Sequence, residues 1–388
     1  MKKIMWKITW GQRNNLIGIF VEQLVVILVL MICTVSLSAT LKKYFAPGRL
    51  DTSDQFLVSF MPLQSVEQEK INKGMEFIQN ELRAIPYVDG VSVNSNLTPH
   101  LRPSEYYAKD SVAINGQKLQ VHLKWADKAA LDMFDIPLKE GRWFAENRQS
   151  LSDGSAPVIV SQQFMDDIPQ KTGIGRKLTF KNKEYTIIGI VEGVKEGSFS
   201  LPLPTVIFPF EEMPDNFQEC IVKVKSQYRK DFYAECLRIF NKLDIKNEAE
   251  LVVGDIKLYS EGNSLNDKLE IAVQTLPVFF LFTFAFIGTF ALFWIRSQKK
   301  AKEYALMIAL GRTPNQMRKS VILESLAVTL LAAVPSLIIA FFIYDWTWLH
   351  VIAIGSTILI MVLFAVFSAW YPAYKVSRIN PAEVLHYE

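Results

Sequence analysis

The side chains able to do chemistry in this chain are few, and none stands at a spacing that catalysis or metal binding uses. His100, His122, His350 and His386 are scattered singly and give no metal-ligand pattern. No G-x-x-x-x-G-K-[ST] occurs, so the chain has no P-loop with which to cradle nucleotide phosphates. Gly173-Ile174-Gly175 lacks the third glycine and the helix-opening context of a dinucleotide fingerprint. H-E-x-x-H and G-x-S-x-G are absent as well. Cys33 falls in an apolar run, while Cys220 and Cys236 share one mixed-composition segment. Their spacing permits a disulfide without establishing one, and two unpaired core thiols are the expected state. These residues point away from an enzyme, from a cofactor held on this chain and from a nucleic-acid partner.

The stretch with an organised pattern is Arg296–Glu324, RSQKKAKEYALMIALGRTPNQMRKSVILE, which lies between two long apolar runs. Arg296, Lys299, Lys300, Lys302, Arg312, Arg318 and Lys319 are set against Glu303 and, at the end, Glu324. A short loop this basic, flanked by spans, belongs on the cytoplasmic side by the positive-inside rule. Lys302–Leu310 is a run of good helix formers, and Gly311 stands where a helix C-terminus favours a residue without a Cβ. Thr313-Pro314-Asn315-Gln316 predicts a new helix: Thr as N-cap, Pro at the first position, Gln at capping-box spacing. A short helix laid on the membrane surface is a docking site for a cytosolic partner. An ordinary basic intracellular loop is the plainer alternative.

Such a loop needs spans to hold it. Half of the chain is hydrophobic, and four apolar runs reach the roughly 20 residues that cross a bilayer. They are Leu16–Leu37, Leu276–Ile295, Val321–Tyr344 and Leu349–Trp370. Charge divides by compartment: the parts assigned to the cytoplasm carry +10, and Lys42–Glu270 carries −4. Both termini are therefore expected inside and the large segment outside. The N-terminus, with Trp6 and Trp10 among lysines, suits an amphipathic helix at the inner surface. The first run exceeds a signal h-region, which predicts a retained anchor. Glu22 inside it is expected to face other helices or to snorkel toward the basic loop. Trp346 and Trp348 form an aromatic belt at the turn between the last two spans. Pro372 is expected to halt the fourth.

Within the large segment, Gln55–Phe60, Val66–Ala84 and Val88–Val93 read as strand, helix and strand. Glu219–Val224, Arg229–Leu243 and Glu250–Leu258 repeat that order. About Trp125–Phe210 is strand-rich, with Pro157–Val160 as a strand and a hairpin over Lys177–Lys195 turning at Lys181–Lys183. A helix is expected from Ser264 into the second span, with Pro277 bending it at the membrane entrance. Two lobes follow, one α/β and one mostly β.

The tail, YPAYKVSRINPAEVLHYE, resembles the C-terminal signature of MacB/FtsX-type ABC transporter permeases at Pro372, Arg378, Asn380, Pro381 and Glu383. Glu303–Gly311, with Glu324 in the helix after it, is similar to that family's coupling region. Gly141–Phe144, Pro157–Ser161, Ile174–Arg176 and Tyr185–Val191 resemble the extracytoplasmic core domain of its MacB-like branch. Tyr304-Ala305 stands where the family has Ile-Gly, and His386 replaces a common Arg, which leaves open which ATPase docks.

The resemblance implies an α-helical membrane protein with four spans and a two-lobed α+β extracytoplasmic domain, a porter-like β-α-β lobe interrupted by a strand-rich one. Expected boundaries are 1–15 for the N-terminal helix, 16–41, 271–295, 320–344 and 349–371 for the spans, and 42–270 for the core domain. Within that domain 52–124 and 216–262 form the α/β lobe and 125–215 the β-rich lobe. The coupling loop is 296–319 and the tail 372–388. The implied function is that of a permease subunit in a bacterial cytoplasmic membrane, relaying the motion of a separate ATPase to its outer domain by mechanotransmission. Export of an antibiotic or peptide, or work on a lipoprotein or another envelope substrate, would be the task. Lys302, Glu303, Tyr304, Leu306, Met307, Leu310, Gly311 and Glu324 would couple to that ATPase, which would hold the ATP and Mg. A second permease subunit, the bilayer and an outer adaptor or substrate protein complete the expected partners. A membrane-anchored sensor or binding protein working without ATP is the alternative, although no signalling domain accompanies it.

Overall fold

The computed structural model describes residues 13–63, 66–101, 107–145, 151, 153–168, 173–213 and 218–378. The expected N-terminal amphipathic helix, with Trp6 and Trp10, and the tail positions Asn380, Pro381 and Glu383 lie outside the described residues. The chain divides into Lys42–Lys268 and a second unit made of the segments flanking it. The described elements open with α1 (Arg13–Phe45), β1 (Gln55–Pro62), α2 (Gln68–Arg83), β2 (Val88–Ser95), β3 (Lys109–Ile114) and β4 (Gln117–Ala126). Then come α3 (Ala130–Met133), β5 (Leu138–Gly141), β6 (Ala156–Ser161), α4 (Gln162–Asp166), β7 (Lys177–Phe180), β8 (Lys183–Val191) and β9 (Thr205–Pro209). The order closes with β10 (Glu219–Val224), α5 (Arg229–Phe240), β11 (Ala249–Asp255), α6 (Ile256–Asn263), α7 (Leu265–Lys299), α8 (Ala301–Ala309), α9 (Pro314–Ile343) and α10 (Trp348–Val376).

The two strand-helix-strand units, β1-α2-β2 and β10-α5-β11, interleave in the antiparallel order β11-β1-β10-β2. This is a ferredoxin-like split arrangement. Helix α2 buries Met75, Ile78 and Leu82, and α5 buries Phe232, Cys236 and Ile239, against Val58, Val91, Val222 and Val224 of the sheet. Those side chains recur at helical spacing on the helices and at alternate positions on the strands, so one face of each is committed to the core. Cys220 and Cys236 are free thiols in this layer.

The strand-rich lobe closes on itself. Strands β4, β3, β7, β8, β6 and β9 pair in sequence, and a parallel β4–β9 pairing completes the ring. Alternate residues fill the barrel: Val112 and Ile114, Val121, Leu123 and Trp125, Val158 and Val160, Leu178 and Phe180, Tyr185 and Ile187, Val206 and Phe208. The β7–β8 turn places Lys181 and Asn182 at φ of 46° and 62°, the left-handed pair that a two-residue hairpin requires. The lobes are one continuous sheet rather than two, joined where Asn94 and Ser95 of β2 pair with Ala126 and Trp125 of β4.

That join is polar. Lys124, 1% exposed, donates to the Asn96 carbonyl at 2.8 Å and lies 3.4 Å from Glu196 Oε1, which also contacts His122 Nδ1 at 2.6 Å. Burial works to raise the Glu196 carboxyl, but His122 and Lys124 outweigh it and hold the group low. The chain enters the domain through Gly48, at φ +89°, whose carbonyl accepts from Lys195 N at 2.9 Å. Lys195 Nζ reaches back to the carbonyls of Lys43 and Tyr44 at 2.7 and 3.2 Å.

Three expectations are corrected. The strand expected over Glu250–Leu258 ends at Asp255, whose carboxylate accepts from Lys257 N at 2.9 Å and starts α6 as its N-cap. The helix expected to Leu243 ends at Phe240, followed by turn residues. Pro372 does not halt the fourth span: it sits buried inside α10, which continues to Val376. Proline costs one intrahelical bond there, and packing of the last turn against neighbouring helices holds it.

Four helices among the described residues are long and apolar enough to cross a bilayer: Ile17–Phe45, Ile256–Lys299, Pro314–Ile343 and Trp348–Val376. Small residues let them approach: Ala332, Ala333, Ala340 and Ala353 line the bundle core, and Thr34 Oγ1 meets Thr357 Oγ1 at 2.6 Å. Glu22 packs against α7, where a Cβ on Gly288 would lie 2.7 Å from its Oε1, so glycine makes the room. Of its two expected surroundings, the helix-facing one is the one found.

Two outcomes follow from the soluble-facing domain. A Cβ at Gly48 would lie 2.6 Å from the Gly193 carbonyl carbon at a φ that disfavours side chains. Gly48→Ala should therefore destabilise the domain by about 2 kcal/mol or more, read as a lower melting temperature. Burial first, then Arg49 and Lys195, push His100 down to about 4 from 6.5. The unfolded chain thus binds the extra proton between those values, so stability is full above 6.5 and falls as pH drops toward 4. The loss should amount to about 3 kcal/mol. A melting series from pH 7 to 4.5 should fall more steeply for the wild type than for His100→Asn, which keeps a residue tolerant of the left-handed backbone.

Candidate functional site

The best-organised polar constellation of the bundle lies where α7 ends, α8 turns and α9 begins. The last turn of α7 carries Arg296 inward. Its residue is 2% exposed, and Nη2 donates to Glu324 Oε1 of α9, with Lys300 Nζ 3.9 Å from the same oxygen. Two buried cations therefore share one carboxylate. Arg296 Nε and Nη1 and Ser297 Oγ have no hydrogen-bond partner among the described residues. In a low-dielectric interior this makes Glu324 the indispensable partner of the junction.

Helix α8 is amphipathic in the way a clamp between core and surface must be. Tyr304 and Ala305 are buried, Tyr304 in a cluster with Met317, Val321, Ala373 and Val376. Burial, and secondarily the Glu324 charge, push the Tyr304 phenol upward, so it stays neutral. On the opposite side Lys302 is exposed, as are Leu306 (53%) and Leu310 (79%). Positions 302, 306 and 310 form one stripe at helical spacing. Leu310 caps the helix, and Gly311 at φ +96° turns the chain. The restart is the expected capping box: Thr313 Oγ1 accepts from Gln316 N at 3.4 Å, and Gln316 Oε1 accepts from Thr313 N at 3.2 Å. Arg312 bends back to Met307 and Met317, 3.6 and 3.9 Å from their sulfurs.

The end of α10 braces the same corner. Arg318 donates from Nε to Ser377 Oγ at 2.9 Å, and its guanidinium lies 5.2 Å from the Tyr374 ring centre. Arg378 lies 4.6 Å from that ring, and Lys375 lies 4.6 Å from the ring of Trp294, which stacks on Tyr371.

The structure thus gathers Tyr304, Gly311 and Glu324 at the junction, half-buries Glu303 and Met307, and leaves Lys302, Leu306 and Leu310 facing outward. Glu22 lies apart, against α7, and Trp346 and Trp348 are exposed at the α9–α10 turn (53% and 79%). Sequence reasoning counted Arg296 and Lys300 only as loop charges and missed them as the partners of Glu324. The available signal was a carboxylate inside the start of an apolar span, which demands a cation at the same depth.

Two family models match. The MacB-like periplasmic core domain covers residues 24–233, and the FtsX-like permease C-terminal domain covers 276–381. The chain belongs to the MacB/FtsX-type permease family. It is similar to the ABC transporter permease YknZ of Bacillus subtilis (strain 168), at 22% identity over 340 residues, 80% of this chain and 79% of that one. The extracellular domain of YknZ from Gram-positive bacteria overlays 51% of this chain and 99% of its own, at 18% identity and a TM-score of 0.36. The periplasmic region of MacB from Actinobacillus actinomycetemcomitans overlays 55% and 94%, at 12% identity and a TM-score of 0.37. The protein is accordingly an ABC transporter permease subunit, with four spans and an α+β extracytoplasmic domain.

Glu324→Ala in this permease would leave Arg296 and Lys300 without a counter-charge. Breaking a buried pair costs roughly 3–5 kcal/mol, and the part-exposure of Glu324 places the loss toward the lower end. The detergent-solubilised variant should melt well below wild type, and Arg296→Met with Glu324→Met together should recover part of the difference, the remainder reflecting Lys300, which still lacks a counter-charge.

Proposed function

We propose that this permease is the motion-relaying half of an ATP-driven machine, and that a separate cytosolic ABC ATPase docks on the exposed stripe of α8. The observation that carries the reading is the pairing of two faces on one short helix. Lys302, Leu306 and Leu310 are open to a partner, while Tyr304 and the Arg296–Glu324 contact fasten the other side to the bundle. A push on α8 is then a push on α7 and α9, because the buried charges cannot separate cheaply. The basic loop and both termini lie in the cytoplasm, as the positive-inside rule requires. Helices α1 and α7 enter and leave the extracytoplasmic domain, so tilting them moves that domain without passing a solute between the spans.

ATP and Mg reside on the ATPase. A second permease subunit, the same or a relative, completes the membrane part. The work is done outside, on an exported antibiotic or peptide or on a lipoprotein or other envelope substrate.

Tagged full-length permease should co-elute with an ATPase whose hydrolysis is vanadate-sensitive and is stimulated by the complex. Lys302→Glu combined with Leu306→Pro should abolish that stimulation while the protein keeps its gel-filtration profile. Unchanged stimulation in the double variant would sink the docking assignment.

A further inference from the structure

The extracytoplasmic domain holds a cleft of about 220 Å3 bordered by the 196–200 loop, His100 and the start of α7. It is a built feature. His100 adopts φ +68°, a left-handed backbone uncommon for a side-chain-bearing residue, and two tethers keep it there. Its N–H donates to the Glu196 carbonyl at 3.0 Å, and the Asn263 amide donates to its own carbonyl. The imidazole belongs to a residue only 8% exposed, lines the cleft and forms no hydrogen bond with a described residue.

Charge narrows what fits. Glu196 Oε1 is engaged by His122 and Lys124, while its Oε2, buried behind the wall, has no hydrogen-bond partner among the described residues. Lys195 Nζ is held by the carbonyls of Lys43, Tyr44 and Ser198. Asp267 at the rim has an interaction of its own within the chain. An anion would therefore meet no open cation on the wall and would face Glu196 and Asp267, while a cation would lose its hydration there beside Arg49 and Lys195, whose charges add to the burial that depresses His100. Apart from the buried Glu196 Oε2, an acceptor for a hydroxyl, the groups left open are neutral: the His100 ring, the Ser198 hydroxyl, the Asn263 Oδ1 and the Asn266 amide. A neutral imidazole offers one donor and one acceptor nitrogen. Phe199, packed on Tyr44 with ring centres 5.4 Å apart, adds a flat apolar wall. The volume equals about seven waters at roughly 30 Å3 each, below the roughly 300–1,000 Å3 of drug-sized pockets.

We propose that this cleft binds an uncharged saccharide unit, with its hydroxyls on His100, Ser198, Asn263 and Asn266 and its C–H face on Phe199. A single sugar ring combines the many neutral hydroxyls and the one apolar face that this wall presents. The site stands independently of the ATPase reading, since none of its residues belongs to the α8 junction.

The test uses full-length permease in phospholipid nanodiscs, free of glycoside detergents because their heads are sugars. N-acetylglucosamine is titrated by saturation-transfer NMR, with acetate and ethanolamine as charged probes. Saturable binding of the sugar alone is expected. It should weaken about tenfold in Phe199→Ala and in His100→Gly, the loss of one ring face or one hydrogen-bonding group. His100→Gly relieves the left-handed backbone and so keeps the fold, and Ser198→Ala gives a third reading at a half-buried loop position. No saturable sugar binding by the wild type overturns the proposal. So does binding of a charged probe in its place, or sugar binding of equal strength in the variants.

Discussion

A guanidinium in a low-dielectric interior has to keep a counter-charge, and the corner of this bundle is arranged around that requirement. Arg296 ends one span and Glu324 lies inside the next, so their contact fixes how α7 and α9 meet. Lys300 adds a second cation to the same carboxylate, which makes separation costlier still. Helix α8 then has little freedom left. Tyr304 pins it from within, Gly311 stops it, and the Thr313–Gln316 capping box starts α9 at a set point. A short helix held this tightly on one face, with Lys302, Leu306 and Leu310 exposed on the other, is suited to pass on displacement rather than absorb it.

The extracytoplasmic domain obeys a related rule on a larger scale. Its barrel and its ferredoxin-like layer share one sheet through two residue pairs, Asn94–Ala126 and Ser95–Trp125. Beside that seam Lys124 of β4 donates to the Asn96 carbonyl just past β2, a contact made only when both lobes are in register, while Glu196 and His122 surround the same ammonium group from within the strand-rich lobe. Such a network favours one arrangement of the lobes over its alternatives. Lys195 ties the 193–200 loop to the end of α1, close to where the chain enters the domain.

Local signals in the sequence were readable because they act over a few residues. The Lys181–Asn182 turn, the capping box, the Gly311 stop and the alternation of Val158 with Val160 needed no knowledge of distant partners. The strand over Glu219–Val224 was legible for the same reason. Barrel closure was not, because β4 and β9 pair in parallel across some eighty residues and nothing in either strand names the other. The interleaving of the two strand-helix-strand units was hidden likewise: the repeat was visible, its partner order was not. Asp255 ends β11 and also caps the next helix, so Ile256–Leu258, which read as strand, begin α6, and Arg229 holds Asp255 together with Asp54 at that corner. Pro372 misled because proline's local penalty was outweighed by packing. At the junction, Glu324 was singled out while Arg296 was not, since a basic residue at the end of a span is ordinary until its burial is known.

The relay of motion through the spans is the central claim, and a distance measurement tests it most directly. Spin labels at Lys118, on the strand-rich lobe, and at Asp345, on the α9–α10 turn, are compared in the assembled complex before nucleotide and after vanadate trapping. The account predicts that the distance distribution shifts on trapping and returns on release. An unchanged distribution in a complex that hydrolyses ATP would contradict it.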